Sequence, residues 1–314
     1  MVAREHFAWV EKYRPQTLDD CILPEAVKQT FAGILKQGDA PNLLLTGGAG
    51  VGKTTVAKAV CNMLGVDVLV INASDENGID TVRVTIKEFA SSLGFNGKRK
   101  YIILDEADMM TFQAQPALRA LTEEFAKQCG FIFTANFPAR IIPALHSRCS
   151  VVDFTIPLKE RKPLAVAFAK RAIHILTTEG VTFDQKVALG AVQMYFPDFR
   201  RTLNELQRFS ASGTLSEAIL SQFSDKDITD LVTALKSKEY GPIRSWVISH
   251  DLDASAFYRV LFDQVVTPDR VELDCLPTLI CLTADYNYKA AFAADKQLNA
   301  LACLVEMQSE GRFK

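Results

Sequence analysis

A glycine-rich stretch near residue 50 has the residue types and the spacing that bind phosphate. Gly47, Gly52, Lys53 and Thr54 form the pattern G-x-x-x-x-G-K-T. The pattern stands between an apolar run and a helical run, which is the context in which it forms a phosphate-binding loop, or P-loop. Its backbone N–H groups would point at phosphate oxygens, while Lys53 neutralises the β- and γ-phosphates and the Thr54 hydroxyl binds Mg²⁺. The motif therefore predicts a nucleotide site.

Two adjacent acids end the apolar run YIILDEAD. Asp105 and Glu106 follow this run directly, and the carboxyl end of a parallel strand is where a ligand lies in such a sheet. We expect Asp105 to hold the metal through water and Glu106 to polarise the water that attacks the γ-phosphate. An adjacent glutamate favours hydrolysis over phosphoryl transfer. Asn136, at the end of FIFTAN, could position the same water or the γ-phosphate, although alone it would indicate only a turn.

Three arginines stand at positions that need a reason. Arg148, in LHSRCSVVDF, precedes an apolar run, and by itself it would be taken as a solvated or ion-paired surface residue. Arg200 and Arg201, in YFPDFRRTLNELQRF, fall at the start of a predicted helix, where cations are unfavourable. One of the two could reach across a cleft to the phosphates, or both could face solvent.

The elements that must position these residues follow from the apolar runs. Five short runs separated by helical patterns predict a parallel sheet covered by helices. They lie at 42–46, 66–72, 100–106, 129–136 and 150–154. Beyond Phe154 the pattern is helical, with a second soft boundary near residue 226. We therefore expect an α/β P-loop domain at 1–155, a small helical domain at 156–226 and an all-helical domain at 227–314.

The composition is that of an ordinary globular protein. The 314 residues are 48% hydrophobic and 23% charged, and the formal net charge of −2 argues against a broadly basic nucleic-acid binder. No apolar run has the length of a membrane span, and the first dozen residues are too charged for a signal peptide, so we expect no membrane association and a cytoplasmic location. The seven cysteines never form C-x-x-C, which indicates neither a disulfide framework nor a thiolate zinc site.

Taken in order, these motifs resemble those of the AAA+ clamp-loader family, the ATPases that open ring-shaped sliding clamps and place them on primed DNA. WVEKYRPQTLDDCILPE at 9–25 and NASDENGIDTVR at 72–83 resemble segments of the replication factor C small subunits. DEADMMTFQAQPALRALTEEF, TAN, SRC and PDFRRTLNELQ continue the series. The short chain and the form FPDFRRT look most like the large subunits of tailed phages of the T-even group. The bacterial branch of the family carries a four-cysteine zinc module, and this sequence does not have it.

The resemblance implies a fold and a set of nucleotide contacts. The fold would be a P-loop AAA+ domain, a small helical lid and a helical collar. The leader would line an adenine pocket and the P-loop would hold the phosphates of ATP, through Val10, Glu11, Lys12, Tyr13 and Ile22 and through Gly50, Val51, Gly52, Lys53, Thr54 and Thr55. Asn136 would be the first sensor, and Arg200, with Arg201 as second choice, the lid arginine that senses the γ-phosphate. Arg148 would act in trans, as an arginine finger on ATP bound to a neighbouring subunit.

The resemblance also implies partners. These are a sliding clamp, primer–template DNA, and an assembly of five subunits in which four copies of this chain join one different small subunit. Clamp and primed DNA would stimulate hydrolysis. Arg83, Lys87 and Arg119 would contact DNA phosphates, the first two from one face of a helix that begins near Gly78. Without the resemblance, solvated charge would be preferred for Arg83 and Lys87, and the tripeptide KRK at 98–100 could equally be the charged start of a strand.

Two further roles and two alternative functions remain open. Leu93 and Phe95 could dock on the clamp or pack in the core, and Gln115 could relay DNA binding to Glu106. The chain could instead be another AAA+ DNA motor, such as a branch-migration helicase or an initiator, or a clamp-loader subunit that binds ATP without hydrolysing it. The EKYRP leader and the single SRC motif lean against the first alternative. Intact Lys53, Glu106 and Arg148 lean against the second.

Overall fold

The structure is a computed structural model that describes residues 8–73, 79–92, 97–219, 225–250 and 254–314. The chain divides into two compact units, Met1–Ile219 and Leu220–Lys314. Residues 156–219, which make up most of the lid expected at 156–226, belong with the sheet to the first unit. None of the described helices is long and apolar enough to cross a membrane.

A parallel sheet forms the centre of the first unit. In the described part of the chain it has five strands, β1 (Leu43–Thr46), β2 (Val68–Asn72), β3 (Lys100–Asp105), β4 (Cys129–Ala135) and β5 (Ser150–Asp153). Their order is β2-β3-β4-β1-β5, and all neighbours are parallel. The five apolar runs contain these strands, and the predicted fold class is confirmed. Because the strands are parallel, their carboxyl ends meet at one edge of the sheet.

Helices cover both faces of the sheet. They are α1 (Trp9–Lys12), α2 (Glu25–Gln37), α3 (Lys53–Leu64), α4 (Ile79–Ser91), α5 (Gln115–Glu124) and α6 (Pro143–His146), with 3₁₀ turns at Ala107–Met109 and Pro138–Arg140. Side chains alternate along β1, so that Leu43 and Leu45 pack with α2 and α3, and Leu44 packs with α4, α5 and α6. This alternation builds one apolar layer on each face of the sheet.

The basic tripeptide at 98–100 binds the ends of three helices. The Lys98 ammonium donates to the last carbonyl of α3 at 2.7 Å. The Arg99 guanidinium donates to a carbonyl in the turn after α5 at 3.0 Å. Lys100 is buried and donates to two carbonyls at the end of α4. Lys98 and Lys100 thus meet the partial negative charge of a helix C-terminus, whereas Arg99 binds the turn that follows α5 and pairs with Asp39.

Three helices follow the sheet within the first unit, α7 (Leu158–Thr178), α8 (Gln185–Tyr195) and α9 (Phe199–Phe209), and a 3₁₀ turn spans Glu217–Ile219. An aspartate caps the start of both later helices. The Asp184 carboxylate accepts the N–H of Lys186 at 2.7 Å, and the Asp198 carboxylate accepts the N–H of Arg201 at 2.9 Å. The Asp198 cap supplies negative charge where α9 begins with two arginines.

The second unit is helical. It contains α10 (Asp225–Ser237), α11 (Tyr240–Ser249), α12 (Ala254–Val260), a π-helical turn (Leu261–Val265), α13 (Leu276–Ala290) and α14 (Lys296–Glu310). Leu231, Ile243, Phe257, Leu279 and Leu304 belong to its apolar core. An isolated antiparallel bridge between Val271 and Phe313 brings the end of the chain back to the segment before α13.

Candidate nucleotide-binding site

A cleft opens at the carboxyl edge of the sheet, next to the P-loop. It encloses about 1030 Å³ of empty space, its open mouth included. Its walls come from the leader, the P-loop, the ends of β3 and β4, and helices α7 and α9. The predicted site residues that line it are Val10, Tyr13, Ile22, Gly50, Val51, Gly52, Lys53, Thr54, Thr55, Asp105, Glu106, Asn136 and Arg200.

Lys53 lies at the centre of the phosphate end of the cleft. Its ammonium donates to the carbonyls of Gly47 and Gly48, at 2.8 and 2.7 Å, and to Oδ1 of Asn136 at 2.8 Å. The residue is only 7% exposed. Burial lowers the pKa of Lys53, although the carboxylates of Asp108 and Asp105 act in the opposite direction. The P-loop lysine is therefore held by the loop and by Asn136, the residue after β4.

Asp105 lies between two hydroxyls. Thr54 Oγ1 and Thr134 Oγ1 both donate to Asp105 Oδ1, at 2.5 and 2.6 Å. The Thr134 hydroxyl also accepts the backbone N–H of Glu106 at 3.0 Å. Glu106 has a left-handed backbone with φ +55°, a strained conformation for a residue other than glycine that is often found at active sites. Thr134 therefore connects β4 to both acids of the pair.

The same residues fit a magnesium ion. A hydroxyl and a carboxylate are the oxygen ligands that Mg²⁺ takes from proteins, with the remaining ligands coming from water and substrate phosphates. Thr54 and Asp105 place these two groups 2.5 Å apart, and both residues line the cleft. They are the residues that would hold the ion.

Asp108 supports the loop after β4. It is 3% exposed, and its Oδ2 accepts the backbone N–H groups of Asn136 and Phe137 at 3.2 and 3.0 Å. Asp108 was not among the predicted site residues. Its available signal in the sequence was a third acid, three residues after Asp105, in DEAD.

Some residues of the leader, the segment at 9–25, form one wall of the cleft. Tyr13 donates its hydroxyl to Glu179 Oε1, at the end of α7, at 2.5 Å. Lys12 pairs with the same oxygen at 2.7 Å, and Glu11 pairs with Arg14. Lys12 and Tyr13 lower the pKa of Glu179, and burial and Glu179 raise that of Tyr13. The structure brings Val10, Tyr13 and Ile22 to the cleft, whereas the side chains of Glu11 and Lys12 do not line it.

Two arginines in the cleft wall were not selected from the sequence. Arg14 lines the cleft, and its Nη1 donates to the Thr55 hydroxyl at 3.4 Å. Arg171 lines the cleft from α7. Arg14 belongs to the EKYRP leader, so its motif carried a signal; Arg171 stands in a helical pattern with no such signal.

The P-loop and α9 are in direct contact. Gly50 has φ +69°, and a Cβ at this position would lie 1.7 Å from Asp198 Oδ1, so only glycine fits. The N–H of Phe199 donates to the Gly50 carbonyl at 3.1 Å. Arg200 lines the cleft, whereas the Arg201 guanidinium lies over the Tyr195 ring, 5.1 Å from its centroid. The two adjacent arginines thus have different surroundings.

The other predicted site residues lie outside the cleft lining. Arg148 donates to Glu123 and to the Ala144 carbonyl. Gln115 is buried at the start of α5. Its Oε1 accepts the N–H of Ile142 at 2.8 Å, and its Nε2 donates to the Arg140 carbonyl at 2.8 Å, so it bridges α5 to the segment before α6.

The candidate DNA contacts lie on α4 and α5. Arg83 is exposed on α4. Lys87 pairs with Glu124 at 3.6 Å, and Arg119 pairs with Glu123 at 3.6 Å. Leu93 and Phe95, the candidate clamp contacts, fall outside the described residues.

A glycine-rich loop follows β1, and an acid pair stands at the end of β3. A polar residue, Asn136, follows β4, which lies between β1 and β3 in the sheet. This sheet order and this cleft define a P-loop nucleotide-binding protein of the AAA+ class. Residues 43–157 match the family described as ATPase family associated with various cellular activities. Residues 161–221 match the sliding-clamp-loader large subunit, AAA+ ATPase lid domain.

Full-length relatives extend these matches. The sliding-clamp-loader large subunit of Enterobacteria phage T4 is 34% identical, over 97% of this chain and 96% of its own length. The sliding-clamp-loader large subunit of Escherichia phage RB69 is 33% identical, over 99% of this chain and 98% of its own length. The replication factor C small subunit of Archaeoglobus fulgidus is 38% identical, over 73% of each chain. The chain belongs to the sliding-clamp-loader family of AAA+ ATPases, and the predicted resemblance is confirmed.

A solved structure shows the same fold at greater distance. A mutant of Thermotoga maritima RuvB superposes with a TM-score of 0.51 at 17% identity, over 75% of this chain and 85% of that one. At this identity the likeness concerns the fold alone.

Proposed function

We propose that this chain is the ATP-hydrolysing subunit of a sliding-clamp loader, which opens the clamp and places it on primer–template DNA during replication. The observation that carries the proposal is the cleft that Lys53, Asp105 and Glu106 line together, in a member of the clamp-loader family. A subunit that only bound ATP would have no use for Glu106 beside the metal-binding acid. We place its activity in the cytoplasm, that of the infected bacterial cell if a phage encodes it.

Each cleft residue has a distinct task in hydrolysis. Lys53 and the P-loop N–H groups bind the β- and γ-phosphates, and the leader residues bind adenine. Thr54 and Asp105 would hold Mg²⁺, which would supply charge neutralisation at the phosphates. Glu106 polarises the attacking water.

Two residues report on the γ-phosphate. The side chain of Asn136 accepts a hydrogen bond from Lys53, and its backbone N–H donates to Asp108. These two bonds fix the Asn136 amide next to the P-loop lysine, where it would position the water or the γ-phosphate. Arg200 reaches the cleft from α9, and its charge acts on Lys53. These positions support Asn136 as the first sensor and Arg200 as the lid sensor.

The proposed assembly follows from Arg148, which does not line the cleft of its own chain. We assign it to the ATP of a neighbouring copy, where an arginine stabilises charge on the transferring phosphoryl group. Four copies of this chain and one different small subunit would form the complex, with the helical second unit as the collar.

DNA would contact the α4 and α5 helices. Arg83, Lys87 and Arg119 supply cations for phosphates, and phosphate contacts carry no sequence preference, which suits recognition of any primer junction. Gln115, whose side chain joins α5 to the Arg140 and Ile142 backbone, is the proposed relay towards the hydrolytic site. Gln115→Ala is expected to lose the stimulation of hydrolysis by DNA; full stimulation would contradict this role.

ATP turnover tests the proposal. The chain is assembled with its partner subunit, and turnover is measured alone, with clamp, with primed DNA and with both; the Lys53→Ala chain is the control for contaminating ATPase. Joint stimulation by clamp and primed DNA is expected. Stimulation by DNA regardless of the clamp would favour another DNA motor, and ATP binding without turnover under any condition would favour a non-hydrolysing subunit.

A further inference from the structure

A carboxylate on α5 holds the arginine assigned to the neighbouring ATP. Glu123 Oε1 accepts hydrogen bonds from Nε, at 2.8 Å, and from Nη2 of Arg148. The Ala144 carbonyl accepts a third from Nη1 at 2.9 Å. The guanidinium is thus held by two helices of its own chain, by α5 through Glu123 and by α6 through Ala144.

The contacts to Glu123 and Ala144 do not use all the N–H donors of the Arg148 guanidinium. A guanidinium has five N–H donors in a rigid planar fork, and the described contacts use three of them. The Arg148 side chain is 29% exposed. Two N–H groups therefore remain for an incoming group, and paired donors of this kind suit phosphate oxygens.

We propose that Glu123 is a positioning residue for Arg148, orienting its guanidinium towards the γ-phosphate of ATP in the adjacent copy. The inference rests on the proposed trans role of Arg148. Pre-orientation lowers the entropy that an exposed, long side chain loses when it engages the phosphate, and this gain appears in the rate of hydrolysis rather than in ATP binding.

Glu123 has a second partner, which connects it to the proposed DNA face. Arg119, one turn earlier on α5, reaches Glu123 Oε1 at 3.6 Å. Hydrogen bonding and charge from Arg148, together with Arg119, lower the pKa of Glu123, so the carboxylate is ionised at neutral pH. The same carboxylate oxygen thus contacts both Arg148 and Arg119, a proposed DNA contact.

The test uses four versions of the chain in the full assembly with clamp and primed DNA: wild type, Arg148→Ala, Glu123→Gln and the double variant. Glu217→Gln, an exposed residue with no assigned role, is the matched control. Turnover and KM for ATP are measured for each, with thermal unfolding as a check on folding. We expect Arg148→Ala to lose about 10³-fold in kcat and Glu123→Gln about 10-fold with KM unchanged. The double variant should equal Arg148→Ala alone.

Mixed assemblies then locate the defect. Glu123→Gln copies combined with Lys53→Ala copies should lose turnover at the site next to the Glu123→Gln subunit. Wild-type turnover by Arg148→Ala would contradict the trans role itself. A defective Arg148→Ala with a normal Glu123→Gln would leave that role intact and contradict the role of Glu123. A Glu123→Gln faster than wild type, or one additive with Arg148→Ala, would also overturn the proposal.

Discussion

The nucleotide cleft and the α4–α5 face belong to the same unit and both are rich in charge, yet they hold it differently. In the cleft, the buried Lys53 ammonium donates to groups of its own chain, and behind the cleft Asp108 Oδ2 accepts two backbone N–H groups. On the α4–α5 face, Lys87 and Arg119 pair with carboxylates while remaining about half exposed. The cleft is organised within one chain, whereas the face carries charges that can exchange partners.

The difference is one of energy as well as position. Exposed ion pairs contribute little to stability, so a ligand displaces them at small cost. Buried charges are costly to leave without a partner. Substitutions in the cleft should therefore act in every assay, while those on the face should act only when a partner is present.

The largest effect is expected from Glu106→Gln. Losing the group that polarises water should reduce ATP turnover in the stimulated assembly by about 10³-fold. Because P-loop contacts remain, binding of a fluorescent ATP analogue to the isolated chain should be unchanged. Turnover near the wild-type rate would contradict the proposed role of Glu106 in hydrolysis. It would also contradict the expectation that substitutions in the cleft act in every assay.

Asp108→Ala tests whether the cleft is organised by its own hydrogen bonds. The substitution leaves the N–H groups of Asn136 and Phe137 without their acceptor. We expect a loss of about 2 kcal/mol in the free energy of unfolding, seen as a fall of about 5 °C in Tm. Asp108→Asn, which keeps an acceptor oxygen, should recover part of the loss. A wild-type Tm for the alanine variant would argue that the loop is held by other contacts.

Glu179→Gln probes the wall between leader and α7. Neutralising the carboxylate weakens the bonds from Lys12 and Tyr13 and should raise KM for ATP about 5-fold, with kcat nearly unchanged. Steady-state kinetics with ATP as the varied substrate measure both constants, and Glu217→Gln is the control. An effect on kcat with KM constant would assign Glu179 to the chemistry instead of the leader.

Arg83→Ala should give the smallest effect, and only with DNA present. One fewer phosphate contact should weaken primed-DNA binding a few-fold and lower the slope of log affinity against log salt by about one. Fluorescence anisotropy over a salt series measures this slope. A defect in ATP binding by the chain alone would contradict the separation of face from cleft, and an unchanged slope would remove Arg83 from the DNA contacts.

Local patterns were sufficient to predict the sheet and most of the cleft. The glycine spacing of the P-loop and the apolar runs before Asp105 and Asn136 each lie within a few residues of chain, and the parallel sheet brings their ends together. Which of these residues line the cleft was therefore predictable from short segments. The assignment of Glu11 and Lys12 to the adenine pocket depended on the resemblance, and in the structure their side chains form ion pairs with Arg14 and Glu179.

The residues that the sequence did not reveal act across the chain. Thr134 meets Asp105 because β3 and β4 pair with Leu104 beside Phe133, a register that no local pattern specifies. Asp108 matters through two backbone groups on a later loop. Neither partner can be inferred from spacing alone.

The three basic residues at 98–100 bear on how DNA would approach this molecule. Long-range steering depends on the net field around a surface, and a cation set against a helix C-terminus has part of its field cancelled by the opposing partial charge. Lys98 and Lys100 lie in that position, and the charge of Arg99 is opposed by the Asp39 carboxylate. A count of basic residues in the sequence therefore overstates the attraction of this region for a polyanion, and the proposed approach of DNA would depend more on exposed cations such as Arg83.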